Sequence, residues 1–210
     1  ARDKIALIYP RGKSLVTMSY GELDDYSNQI ANSLLKQNFH AGDAIGVAMT
    51  MNIEAVAIYL GIIKMGGVVI SIADSFSPEE MATRLRIGQA KAVFTQDQIS
   101  WGGKQIALYE KVLHTQIAKI IVIPQREKVS RDLREQDILW ADFLVSNTTF
   151  RPVTCAPMQA CHILFSSGTT GEPKAIVWNH TTPLKAASDA YLHHDIKPTD
   201  TIAWPTNLGW

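Results

Sequence analysis

Ala44-Ile45-Gly46-Val47-Ala48-Met49-Thr50, then Asn52, then Ile53, Val56, Ala57, Leu60 and Ile63, then Gly66-Gly67 and Val68-Val69-Ile70-Ser71-Ile72 together decide the fold. The first and last runs are apolar and strand-like. Between them the apolar positions recur at helical spacing, an asparagine stands where a helix N-cap belongs, and the glycine pair stands where the helix must end. Strand, helix and strand make a βαβ unit, in which a right-handed crossover joins two parallel strands.

A second unit follows. Ser77-Pro78-Glu79-Glu80 opens a helix: the serine caps it, the proline sits where its missing N–H costs nothing, and the acids face the positive end of the helix dipole. Residues 91–95 return as a strand. Further on, 105–116 reads as a helix, 119–123 as a strand, and 125–137 as a charged, solvated excursion. Upstream, Ile5-Ala6-Leu7-Ile8-Tyr9 and Leu15-Val16-Thr17, separated by Pro10-Arg11-Gly12-Lys13, read as a β-hairpin. Ser19-Tyr20-Gly21-Glu22 is a capping box whose helix buries Leu23, Tyr26, Ile30 and Leu34. The fold class is α/β, with parallel βαβ units flanked by helices.

Composition narrows the classes of function. Of 210 residues, 46% are hydrophobic, enough for one domain with a substantial core. The 20 basic and 20 acidic residues cancel, which removes any general attraction for nucleic acid or an anionic membrane and leaves anion binding to local groups. The most apolar region, 44–73, is interrupted by Asn52, Glu54, Lys64 and the glycine pair, and lacks the roughly 20 uninterrupted apolar residues of a membrane span. Cys155 and Cys161 match no zinc spacing and no disulfide framework, so a reducing compartment and no protein-held metal are expected. No signal peptide is apparent, and both ends read as cut.

The chemistry is concentrated in Ser166-Ser167-Gly168-Thr169-Thr170-Gly171-Glu172-Pro173-Lys174, which follows the buried-strand run Cys161-His162-Ile163-Leu164-Phe165. Glycines let backbone N–H groups turn toward an anion, the hydroxyls add donors, and the lysine adds a mobile positive charge. Turn chemistry alone also selects Gly, Ser and Thr, so a polar hairpin turn before Ala175-Ile176-Val177-Trp178 is the competing reading. The Walker pattern is excluded, because Lys174 follows Pro173 and precedes strand-like residues rather than a helix. The dinucleotide fingerprint G-x-G-x-x-G is absent.

The run 163–176 resembles the signature phosphate loop of the adenylate-forming superfamily: acyl-CoA synthetases, luciferases and the adenylation domains of peptide synthetases. The one departure is Ala175, where most members carry glycine. Ser19, Tyr20, Glu22 and Leu23 match a scaffold motif of that family. Lys64-Met65-Gly66-Gly67 with the following strand and Asp74 resembles a second motif, which we assign to packing. The resemblance continues through a short helix in 138–144, a loop over 147–157, a helix reaching about residue 194, a turn over 195–200 and a strand at 201–204. The closing Pro205-Thr206-Asn207-Leu208-Gly209-Trp210 is similar to the acetyl-CoA synthetase branch, and within it to plant acyl-activating enzymes of peroxisomal type.

The resemblance implies that 1–210 is part of the large N-terminal AMP-binding domain, with the rest of that domain and the small C-terminal domain absent. It implies an acid–thiol ligase that joins a carboxylic acid to coenzyme A with ATP and Mg²⁺, in the peroxisome or cytoplasm. Ser166, Ser167, Gly168, Thr169, Thr170 and Gly171 would cradle the β- and γ-phosphates, and Lys174 would supply catalytic charge. Because the family's later motifs have no counterpart, these residues alone are expected to catalyse neither step. The alternatives are an adenylation domain or luciferase-like enzyme of the same fold, and a non-catalytic truncated product. His180 is read as positional, and His193 and His194, adjacent on a helix, as surface residues. Trp204 and Trp210 either wall a ligand site or fill the core.

Overall fold

In the computed structural model, residues 2–12, 14–126, 129–130, 132–166, 171–203, 206, 208 and 209 are described. Strands β1 (Ile5–Arg11) and β2 (Ser14–Ser19) form the expected antiparallel hairpin as a separate two-stranded sheet. Helix α1 (Tyr20–Lys36) starts at the capping box: Ser19 Oγ accepts the Glu22 N–H at 3.2 Å, and the Glu22 carboxylate accepts the Ser19 N–H at 2.7 Å. The wound part follows as β3 (Ala44–Ala48), α2 (Ile53–Lys64), β4 (Val68–Ile72), α3 (Pro78–Ile87) and β5 (Ala92–Gln96). Next come β6 (Ile99–Trp101), β7 (Lys104–Ile106), α4 (Leu108–Leu113), β8 (Ile120–Ile123), β9 (Ile138–Leu139) and α5 (Trp140–Phe143). The last elements are β10 (Ala160–Ser166), β11 (Lys174–Asn179) and α6 (Thr181–Leu192).

Seven strands make the main sheet in the order β11-β10-β4-β3-β5-β8-β9, and every neighbouring pair is parallel except β10 with β11. Helices cover both faces, so the central strands carry apolar residues without alternation. Every residue of β4, β5 and β8 is buried. On one face α1, α2 and α5 pack against Ile45, Val47, Val69, Phe94 and Ile121; on the other, α3 and α4 pack against Ile70, Ile72, Val93, Ile120 and Val122.

Both βαβ units form as read, and Asn52 caps α2 by accepting the Ala55 N–H at 2.8 Å. The buried side of α2 differs from the expected stripe: Ile53 and Ala57 are buried as read, with Ala55, Ile58, Gly61 and Ile62, but Val56, Leu60 and Ile63 are only partly buried, since α2 lies between α1 and the sheet. A Cβ at Gly61 would stand 2.7 Å from Ile30 Cγ2, and the missing side chain is what lets α1 lie so close.

Three expectations are corrected. The helix expected over 105–116 is only Leu108–Leu113, because Lys104–Ile106 turns back on Ile99–Trp101 through Gly102 (φ 55°) and Gly103 (φ 77°), a left-handed pair that suits a tight hairpin. The excursion over 125–137 is anchored rather than merely solvated. Asp137, its side chain fully buried, accepts hydrogen bonds from Tyr109 Oη (2.7 Å), Arg134 Nε (2.8 Å) and the Ile120 N–H (2.9 Å). Asp97 accepts the N–H groups of Gln125 and Ser130 at 2.8 and 2.9 Å. Finally, 201–203 lie in no strand, since a strand needs a neighbour for its backbone groups and these have none among the described residues; Trp204, Pro205, Asn207 and Trp210 lie outside those residues.

Candidate active site

In a parallel sheet, ligands sit beyond the C-terminal ends of the strands. β4 and β10 are parallel neighbours, so Ala73 and Asp74 after β4 and Ser166 at the end of β10 share one end of the sheet. The antiparallel β10–β11 pair then sets Ser166 directly across from Lys174, with Phe165 across from Ala175. The phosphate-loop sequence thus spans a hairpin whose two feet are a hydroxyl and an ammonium group. Gly171 has φ 109°, a left-handed backbone that other residues adopt at a cost, although a Cβ there would meet nothing within 4 Å. Lys174 is exposed and, among the described residues, is in no ion pair. Glu172 accepts a hydrogen bond from Arg86 Nη2 of α3 at 2.8 Å, with both side chains exposed. Ser167, Gly168, Thr169 and Thr170 lie outside the described residues.

Two supports of this hairpin went unread in the sequence. His162 in β10 is buried and hydrogen-bonded through Nε2 to Ser71 Oγ of β4 at 2.7 Å and through Nδ1 to Tyr59 Oη of α2 at 3.3 Å. The rings of Tyr59 and Trp178 meet it edge-on at 5.2 and 5.4 Å. Burial pulls its pKa down to about 4, so the imidazole is neutral and uses one nitrogen to donate and the other to accept. On the opposite face, the guanidinium of Arg84 lies between Phe76 and Phe165. A histidine inside an apolar run and an arginine on a helix with little amphipathic character were the only hints.

The other candidates separate from the hairpin. His180 precedes α6 and lines a cavity of about 380 Å³ with Ile63, Val153, Cys155 and Leu184; its Nε2 is buried and has no hydrogen-bond partner among the described residues. His193 and His194 are exposed at the end of α6, and His193 Nε2 lies 3.7 Å from Asp189. Lys64 is committed to Asp24 Oδ1 (2.6 Å) and Asn28 Oδ1 (2.7 Å), joining α2 to α1. At the end of β4, burial raises the Asp74 carboxyl, and a Cβ at Gly209 would come within 2.6 Å of the Ala73 nitrogen. Glycine there is what allows 208–209 to close on that end of the sheet.

A mostly parallel sheet covered on both faces, ending in a strand–loop–strand hairpin of this sequence, defines a nucleotide-dependent class, and comparison identifies it. The sequence matches the AMP-binding enzyme family over residues 1–210, and the chain belongs to that family. It is 47% identical over 200 residues to the probable acyl-activating enzyme 17, peroxisomal, of Arabidopsis thaliana, a match covering 92% of this chain and 28% of the relative. To the hexanoyl-CoA synthase of Cannabis sativa it is 48% identical over 187 residues, covering 86% of this chain and 26% of that enzyme. The fold superposes on the acetoacetyl-CoA synthetase from Streptomyces lividans with a TM-score of 0.90 at 24% identity, over 99% of this chain and 33% of the other. The chain thus spans 28% and 26% of the length of these two plant relatives.

Proposed function

We propose that the protein containing this chain activates a carboxylic acid with ATP and transfers the acyl group to coenzyme A. A substrate carboxylate oxygen attacks the α-phosphorus of ATP, the bond to the bridging oxygen breaks, and pyrophosphate leaves. The coenzyme A thiolate then attacks the acyl carbonyl, and the carbon–oxygen bond to AMP breaks. The observation that carries this reading is the register pairing Ser166 with Lys174 across the family's phosphate-loop sequence. It supports Ser166 and Gly171, with Ser167, Gly168, Thr169 and Thr170, as donors to the β- and γ-phosphates, and Lys174 as the charge that meets the departing pyrophosphate.

Among the described residues no cluster of His, Cys, Asp or Glu is suited to holding a metal. Mg²⁺ bound with ATP would neutralise phosphate charge. The peroxisomal name of the Arabidopsis relative favours the peroxisome over the cytoplasm, and the hexanoyl-CoA synthase favours an acid of the fatty-acid kind.

In the complete protein, Lys174→Ala should lower acid-dependent ATP–pyrophosphate exchange by about 10²- to 10³-fold, the usual cost of a lost transition-state donor. Unchanged exchange would remove Lys174 from the mechanism. Assaying coenzyme A against other thiols separates an acyl-CoA synthetase from an adenylation domain, and exchange at background in the unmodified protein would favour a non-catalytic product.

A further inference from the structure

Among the described residues, Arg84 is a buried cation without a matching anion. Only 7% of its surface is exposed, and its guanidinium carbon stands 3.9 Å from the centroid of Phe76 and 5.9 Å from that of Phe165. Nη1 donates to the Glu80 carbonyl at 3.0 Å, Nε is buried without a partner, and no carboxylate pairs with it among the described residues. A protein keeps such a charge at a cost, because burial strips its water and nothing nearby replaces it fully. Its position gives that cost a use. Phe76 lies in the turn from β4 to α3 and Phe165 immediately precedes Ser166, so one planar cation bridges the two segments bounding the candidate site. Two residues further along α3, Arg86 donates to Glu172 of the hairpin sequence.

We propose that Arg84 is a positioning residue for a polyphosphate: it fixes the end of β10 against the β4–α3 turn, and its unmatched charge favours an anion at this end of the sheet. This rests on the reading of the hairpin as a phosphate site. The contacts with Phe76 and Phe165 are of the cation–π kind, which strengthens where water is excluded. Methionine approximates the volume of arginine without its charge or plane, and lysine keeps the charge without the plane.

The test is calorimetric titration of the complete protein with ATP, together with its melting temperature. Arg84→Met should weaken ATP binding roughly 10-fold, equivalent to about 1.4 kcal/mol, while melting at or above the wild-type temperature, since an apolar side chain suits this site better than an unpaired charge. Arg84→Lys should recover part of the affinity. Wild-type affinity in Arg84→Met, or affinity that falls only in step with a lowered melting temperature in both variants, would overturn the proposal. Lys174→Ala serves as the control: if wild type binds ATP and Lys174→Ala does not, an unaffected Arg84→Met refutes this proposal alone. If wild type itself binds no ATP, the reading of the hairpin fails, and this proposal with it.

Discussion

His162 occupies a position where an aliphatic residue would bury more simply, and its two hydrogen bonds explain its presence. Ser71 and Tyr59 would otherwise be buried hydroxyls in want of partners. The arrangement works only with a neutral ring. Burial lowers the folded pKa to about 4 from 6.5, so the unfolded chain takes up the proton first as pH falls. The stability His162 contributes is therefore present above pH 6.5 and is lost progressively toward pH 4, by about 3 kcal/mol in all. Urea denaturation at intervals from pH 7 to 4 should show this loss in the wild type and a flatter profile in His162→Gln. Equal slopes in the two proteins would mean that other groups govern acid stability. No pattern in the sequence reports such a residue, because its partner Ser71 lies 91 positions away.

Elements whose causes are local were legible in the sequence, and those stabilised by distant partners were not. The capping boxes at Ser19 and Ser77 contain their own donors and acceptors, and both form as written. Ser77→Ala should cost about 1 kcal/mol, visible as a lower melting temperature, whereas Ser77→Asp should keep most of the stability. An alanine variant as stable as wild type would show that packing alone holds the start of α3. The β10–β11 hairpin was legible for the same reason: its two strands are separated by one short polar stretch of sequence. By contrast, 125–137 looks like loose charge until Asp97, Tyr109 and Ile120 supply its partners. The β6–β7 hairpin was signalled by Gly102-Gly103, but the helical spacing that follows masked it. The strand expected to begin at 201 shows the opposite error, in which residues 201–203, of strand type, meet no neighbouring strand among the described residues.

Across the whole molecule, stability is graded from the middle of the sheet outward. β4, β5 and β8 are wholly buried, while α6 has no buried residue and most of β11 is exposed. Amide hydrogen exchange should accordingly be slowest in β3, β4 and β5 and fastest in α6, with β11 closer to α6. Protection of α6 equal to that of β4 would contradict this gradient. The β10–β11 hairpin thus lies at the border between the buried interior of the sheet and its exposed edge.

The parallel pairing of β10 with β4 also bears on timing. The chain leaves the ribosome from its N-terminal end, and contacts between distant residues close slowly because a long loop must be ordered first. β3, β4 and β5 can assemble while β10 is still being made. The hairpin gains its neighbour only when His162 reaches Val69 and Ser71. The β10–β11 hairpin is consequently among the last features this stretch of chain acquires during synthesis, after the sheet that supports it is already in place.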